Sequence, residues 1–326
     1  MLSALRRVRL PKLSLDPRSV RAAERRLFER IRWLGKHIDI QVARCSAYVR
    51  LMRLHRPIGI WLLMWPTLWA LWIAAKGRPS GELFLVFALG TVLMRSAGCI
   101  INDFADRKID PHVARTRDRP LATGEVPLLG AAVLFGALML LALGLALLLN
   151  PFAQVLAVFG AAVTVAYPFA KRFIAAPQFV LGIAFSWGVP MAFAAQLGEV
   201  PRLGWLLFIV TVVWVVVYDT EYAMTDKADD IKLGVKSTAI LFGDLDRRFI
   251  GGLQLLLLLG LVLVGRGADL GRWYLAGVAA GAVFMLYQQY LIREREPARC
   301  FGAFQNNAWF GLSVFTGIVL DFVLVA

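Results

Sequence analysis

Long stretches without a charged residue divide this chain. They run from Pro57 to Ala75, Val126 to Ala170, Phe173 to Gly198, Leu203 to Tyr218, Phe249 to Gly265, Trp273 to Ile292 and Phe301 to Leu320. Several approach the roughly 20 apolar residues that a helix needs to cross about 30 Å of hydrocarbon. The run from Val126 to Ala170 is too long for one crossing, and Asn150-Pro151 places a turn signal at its middle, so it reads as a helical hairpin. The pattern predicts helices near 57–75, 82–102, 126–149, 152–170, 175–197, 203–222, 248–265, 273–292 and 305–325. The expected fold is all-α, a polytopic membrane bundle of nine transmembrane helices.

Nine crossings put alternate loops on opposite sides, and the basic residues follow that alternation. Loops after the second, fourth, sixth and eighth spans hold fifteen Lys and Arg, against five in the remaining loops (Lys76, Arg78, Arg202, Arg266 and Arg272). The positive-inside rule therefore makes the first set of loops and the N-terminus cytoplasmic. Composition agrees with a membrane solvent: the chain is 59% hydrophobic and 18% charged, where soluble domains average about 25% charged.

The net charge of +14 would suit a nucleic-acid partner, but its placement before the first span and in one set of loops fits anionic lipid headgroups better. Residues 1–48 read as a basic N-terminal extension. Within it Val20, Ala23, Leu27, Ile31 and Leu34 recur at helical spacing among five arginines, as in an amphipathic helix lying on the membrane surface. A mitochondrial leader is the competing reading, and Asp16, Glu24 and Glu29 argue against it. Cys45, Cys99 and Cys300 lack metal-site spacing and are read as structural. His37, His55 and His112 are read as solvated rather than ligating, and Trp61, Trp65 and Trp69 as packing or interfacial anchors.

The acidic residues carry the chemistry. Eight of the 22 Asp and Glu fall in two short windows: Asp103, Asp106 and Asp110, then Asp219, Glu221, Asp226, Asp229 and Asp230. Each window closes an apolar span and opens a loop on the same side. Asn102, Asp106 and Asp110 recur every four residues, and so do Tyr222, Asp226 and Asp230, so each set forms one stripe if the segment is helical. Stacked carboxylates repel, more strongly where a membrane excludes water. Mg²⁺ answers that repulsion, because it takes oxygen ligands and is commonly held by one or two carboxylates together with substrate phosphates. Arg107, Arg115, Arg117, Lys171, Arg172, Lys227 and Lys236 stand ready to neutralise the remaining phosphate charge. Arg95, seven residues before Asn102, lies within a span, where an ionisable residue marks a functional site by default; it contacts substrate or pairs with a carboxylate.

Several strings resemble the UbiA superfamily of intramembrane prenyltransferases over roughly residues 50 to 325. They are Arg56-Pro57-Ile-Gly59 with Pro66-Thr-Leu-Trp69; Met94-Arg95-Ser-Ala-Gly98 through Asn102-Asp103 to Asp110; Arg117-Asp-Arg119-Pro120; Tyr167-Pro168-Phe-Ala-Lys171-Arg172; Trp187-Gly-Val-Pro190; and Tyr218-Asp219-Thr through Lys236 to Gly243. They are most similar to the hydroxybenzoate-prenylating branch. The resemblance implies a prenyltransferase transmembrane domain over 49–326, with a central cavity and an Asp-rich cytoplasmic cap. It implies transfer of a polyprenyl group from polyprenyl diphosphate to 4-hydroxybenzoate, ortho to the hydroxyl, in ubiquinone biosynthesis. It implies Mg²⁺ and diphosphate at Asn102, Asp106, Asp226 and Asp230, with Asp103 and Asp110 supporting.

On the same resemblance, Asp219 lies near the acceptor, Arg56 binds its carboxylate, and Tyr167 and Lys171 lie near the diphosphate. Asp219, Lys171 and Arg95 are the catalytic candidates; Arg56, Asn102, Arg107, Arg117, Tyr167, Lys171, Tyr222 and Lys236 are the substrate-binding ones. Membrane lipid is an expected partner, nucleic acid is not, and a bacterial inner membrane is preferred to a mitochondrial one. Other branches, making haem O, menaquinone or chlorophyll, are the alternatives within the family. From another class, a cation-coupled transporter would also place acids in helices, though nearer the midplane.

Overall fold

The computed structural model describes residues 44–170 and 172–324, and every described element is helical. Helix α1 covers 44–51 among the described residues. After it come α2 (Ile58–Ala74), α3 (Gly81–Asp106), the 3₁₀ turn η1 (Asp110–His112), α4 (Leu128–Ala146), α5 (Pro151–Ala170), α6 (Pro177–Ser186) and α7 (Gly188–Leu197). The chain continues with α8 (Arg202–Leu233), α9 (Thr238–Leu241), η2 (Gly243–Leu245), α10 (Asp246–Gly267), α11 (Arg272–Leu291), η3 (Ile292–Glu294) and α12 (Pro297–Leu324). The surface helix expected near residues 20–34, and with it the question of a leader, lies outside the described residues.

Eight described segments are long and apolar enough to cross a membrane, α6 and α7 together forming one of them. The span expected at 57–75 is the exception. Its helix α2 has 17 residues, about 25 Å at 1.5 Å per residue. Burial shows where each helix stands. Twelve of the residues in α2 are buried, whereas α4 buries only Ala131 and Leu138. α2 is therefore an inner helix, and α4 turns most of its apolar surface outward.

The centre is an aromatic stack joining α2, α8 and α12. Trp69 lies against Trp214 with ring centroids 5.1 Å apart, and both pack on Phe310. Each indole N–H has a partner, Trp69 donating to the Gly311 carbonyl at 3.1 Å and Trp214 to Asn307 Oδ1 at 2.8 Å. Buried indoles need such partners. Gly311 permits the contact, since a Cβ there would stand 2.3 Å from Trp65 Cδ1.

Two boundaries differ from the sequence expectation. The span expected at 175–197 is two helices meeting at Trp187, because Pro190 has no N–H to return to the Ser186 carbonyl. Gly188 sits at that break against α2, where a Cβ would be 2.3 Å from Thr67 Oγ1. The span expected to end at 222 continues as helix to Leu233, eleven residues beyond its apolar part, and stops at Gly234. Gly234 takes φ +68°, and the N–H groups of Gly234 and Val235 bond back to the carbonyls of Ile231 and Asp230.

Candidate functional site

The last turns of α3 and the polar extension of α8 open onto one cavity of about 1440 Å³. From α3 it is lined by Asn102, Asp103 and Asp106; from α8 by Asp219, Tyr222, Asp226 and Asp230. Helical spacing explains the α8 set, since residues four apart share a face. The α3 set ends sooner than expected. α3 stops at Asp106, and Asp110 belongs to η1, so Asp110 does not continue the stripe of Asn102 and Asp106 along one helix. Pro111 disfavours helical backbone at the residue before it, and the turn folds Asp110 back to a buried position.

Guanidinium groups offset much of the crowded negative charge. Arg53 pairs with Asp103. Arg119 bridges Asp103 at 3.1 Å and Asp110 at 2.9 Å. Arg115 binds Asp226 through Nε at 2.9 and 3.0 Å, donates also to the Tyr222 hydroxyl, and lies over that ring, 4.4 Å from its centroid. Burial, the largest single influence, disfavours the charge on Arg53, but Asp103 together with Cys99, Tyr222 and Asp110 holds the guanidinium above its ordinary pKa. Arg115 behaves alike: burial opposes its charge, while Tyr222 and Asp226 raise its pKa. Burial pushes the Asp110 carboxyl up, with Arg119 opposing.

Below this polar end the cavity walls become apolar. Leu62, Leu63, Val86 and Phe87 line it from α2 and α3, and Leu140, Leu143, Ala157 and Val158 from α4 and α5. Arg95 is the charged residue set among them. Its Nη1 donates to Cys99 Sγ at 3.0 Å, and its guanidinium lies 5.6 Å from the centre of the Phe185 ring. Cys99 is thus a buried neighbour of Arg95 rather than a bystander.

Of the remaining sequence candidates, Arg56, Tyr167 and Lys236 line the cavity, Arg56 and Lys236 as exposed residues. Arg107 and Arg117, expected at the substrate, are not among the lining residues. Arg107 instead donates to the Phe104 carbonyl at 2.8 Å, satisfying a group at the end of α3. Arg117 is exposed beside Asp118. Lys227, also expected near phosphate, turns to Asp246 at 3.0 Å and the Gly243 carbonyl at 2.7 Å. Lys171 lies outside the described residues. Glu221, within the second acidic window, faces the core and accepts from Asn307 at 2.8 Å.

Arg53, Arg119 and the buried Gln178 were not among the candidates, yet all three line the cavity. The one sign of Arg119 was its place in the quoted Arg-Asp-Arg-Pro string. Arg53 lies 50 residues from its partner, and no periodicity connects them.

Four of the lining side chains, Asn102, Asp106, Asp226 and Asp230, present hard oxygen donors from two facing helices. No group of three His, Cys, Asp or Glu among the described residues closes around a cation by itself. That donor set fits Mg²⁺ shared with phosphate oxygens, the usual way this ion is held.

Residues 63–313 match the UbiA prenyltransferase family. The chain belongs to that family. Among curated relatives, a 4-hydroxybenzoate octaprenyltransferase of Coxiella burnetii is 54% identical over 275 residues, 84% of this chain and 96% of that protein. One from Nitrosococcus oceani is 56% identical over 280 residues, covering 86% and 98%. Among solved structures, the apo UbiA homolog from Aeropyrum pernix K1 superposes with a TM-score of 0.69 at 25% identity, over 79% of this chain and 97% of that one. The UbiA homolog from Archaeoglobus fulgidus bound to GPP and Mg²⁺ gives a TM-score of 0.61 at 18% identity, covering 82% and 99%, and supports the fold. With eight segments apolar enough to span, this is an integral membrane prenyltransferase.

Proposed function

We propose that this enzyme transfers a polyprenyl group from polyprenyl diphosphate to the ring carbon of 4-hydroxybenzoate ortho to the hydroxyl, releasing diphosphate, as a step of ubiquinone biosynthesis. The convergence of Asn102, Asp106, Asp226 and Asp230 on one cavity with an apolar interior carries this reading. A donor with an ionic head and a hydrocarbon tail needs that combination. The acceptor follows from relatives above 50% identity named for 4-hydroxybenzoate.

In this proposal the four oxygen donors hold the diphosphate through Mg²⁺, which supplies Lewis-acid stabilisation to the departing group. Arg115 orients Asp226, while Arg53 and Arg119 pair with Asp103 and Asp110 and hold them in place beside the site. Arg172 and Lys236, which line the cavity, receive phosphate charge, and Lys171 is assigned the same role from the sequence alone. The allylic C–O bond breaks with its electron pair leaving on diphosphate. The acceptor's ortho carbon then forms the new C–C bond, and loss of its ring proton restores aromaticity. Asp219 is the carboxylate assigned to polarise the phenol or take that proton. The apolar walls exclude water that would otherwise capture the cation.

The prenyl tail extends between α4 and α5, along the aliphatic side chains of Leu140, Leu143, Ala157 and Val158 that line the cavity. With α2 as a ninth, short crossing, the Asp-rich end faces the cytoplasm of a bacterial inner membrane, and 1–48 is a basic extension preceding the domain at 49–326. Membrane lipid surrounds the outward face of α4. Membranes carrying the protein, supplied with radiolabelled 4-hydroxybenzoate, a prenyl diphosphate and Mg²⁺, will form a lipid-soluble product that disappears with EDTA. No such product would overturn the reading.

A further inference from the structure

We propose that an arginine-lined pocket between the start of α10 and the end of α11 binds the headgroup of an anionic phospholipid, whose acyl chain lies along the exposed apolar face of α10. The pocket has a volume of about 410 Å³ and shares no lining residue with the large cavity. Arg247 and Arg248 line it from α10, Arg293 and Arg295 from the turn after α11, and Asp244 is the one carboxylate among its described lining residues.

Ion pairing within the protein accounts for two of these four arginines. Arg295 binds Asp246 at 2.8 Å, a carboxylate that Lys227 of α8 also reaches at 3.0 Å. This bridge places the pocket at the same end of the bundle as the acidic windows. Arg293 shares Glu294 with Arg299, at 2.9 and 3.1 Å. Arg247 and Arg248 are both exposed and have no ion pair among the described residues, and the Arg248 side chain has no hydrogen bond there either. Arg247 is nonetheless held in place. Its Nε donates to Gln289 Oε1 at 3.3 Å, the Gln289 amide donates to Gln254 Oε1 at 3.0 Å, and Gln254 donates to the buried Gln288 at 3.1 Å. These amides join α10 to α11 and fix one guanidinium at the pocket before any ligand arrives.

Solvated arginines would need nothing more, but the surface that continues from them fits a lipid. On α10, Arg248, Gly252, Leu255, Leu259 and Leu263 recur every three or four residues and all are exposed, so they form one outward stripe. From Arg248 to Leu259 the helix rises roughly 16 Å, about half of the roughly 30 Å hydrocarbon thickness, which is the reach of one leaflet's acyl chains. On α11, Val283, Leu286, Tyr287 and Tyr290 are exposed. The Arg293 guanidinium lies over the Tyr290 ring, 4.3 Å from its centroid, and tyrosines are enriched at headgroup level. A phosphodiester seated there meets two guanidinium groups that the protein leaves unmatched. A zwitterionic headgroup brings its own cation, which the same arginines repel.

Native mass spectrometry of the full chain, released from detergent micelles doped with phosphatidylglycerol or phosphatidylcholine, tests this. Wild type will retain phosphatidylglycerol at least about tenfold more strongly than phosphatidylcholine. Arg247→Gln combined with Arg248→Gln will lower that preference about tenfold, as expected for two basic residues at a membrane surface. Arg266→Gln combined with Arg272→Gln removes equal charge at the opposite ends of α10 and α11, and will lower it less than about threefold. Equal losses in the two double variants, or no preference in wild type, overturn the proposal. Bound lipid that is displaced by excess inorganic phosphate, but not by chloride of the same ionic strength, also overturns it, because the pocket then takes a free anion. If the double variant fails to fold, Arg248→Gln alone decides, since that side chain has no hydrogen bond or ion pair to lose among the described residues; an unchanged preference there overturns the proposal.

Discussion

Arg115 and Asp226 lie 111 residues apart and meet through two bonds from one Nε, at 2.9 and 3.0 Å. One belongs to the loop after α3 and the other to the polar extension of α8, so the pair ties together the two segments that carry the acidic windows. It also fixes which way the Asp226 carboxylate faces.

Replacing Arg115 with Ala should leave Asp226 free to rotate without removing a donor oxygen. Losing a group that orients a metal-binding side chain typically costs 10–100-fold in affinity or activity. The Mg²⁺ concentration giving half-maximal prenyl transfer should rise by about that factor, while maximal turnover at saturating Mg²⁺ falls less. A titration of activity against Mg²⁺ reads both.

Asp106→Asn and Asp226→Asn each remove charge while keeping shape. Product formation should fall by about 100-fold or more in each, comparable to losing a dominant electrostatic contact in a transition state. Radiolabelled acceptor assays check this. Activity within a factor of three of wild type would remove these residues from the site.

Arg119 is shared by two buried acids, Asp103 and Asp110, and its own side chain is only 15% exposed. Arg119→Ala leaves both without that partner, a loss of about 3–5 kcal/mol for a broken buried pair. Burial already raises the Asp110 pKa and Arg119 restrains it, so the variant's Asp110 should titrate higher still. A raised acid favours folding in its neutral form, present at low pH and lost as pH rises through the folded pKa. The gap in melting temperature between variant and wild type should therefore narrow as pH falls from 7 towards 5, as followed by thermal unfolding in detergent.

Gly311→Ala tests the central stack. The added methyl would press on Trp65 and stand 2.8 Å from Cη2 of Trp214, an overpacking that typically costs about 1–3 kcal/mol. A lowered melting temperature with unchanged KM for both substrates is the expected result.

The two windows were legible because their signal is local. Asp106 and Asp226 follow long apolar spans, and the spacing of Tyr222, Asp226 and Asp230 survives as one face of α8. The end of α8 was harder to read, since hydropathy stops near residue 222 while the helix continues to the glycine that caps it. Similarly, apolar content across 175–197 gave no warning of the break at Trp187, which depends on the missing N–H of Pro190. Asp110 was misplaced on the α3 stripe because spacing alone ignores the conformation that Pro111 imposes.

The sequence by itself determined the solvent, the spans and the oxygen-rich chemistry, because hydrophobic runs and residue spacing act over one or a few helical turns. Tertiary structure alone decided how charge is balanced and where it is not. It brought Arg53 to Asp103, Arg119 to Asp103 and Asp110, and Arg115 to Asp226, and left Arg95 facing an apolar cavity over Gly59. These partners come from different helices and loops, and their meeting depends on how the bundle packs.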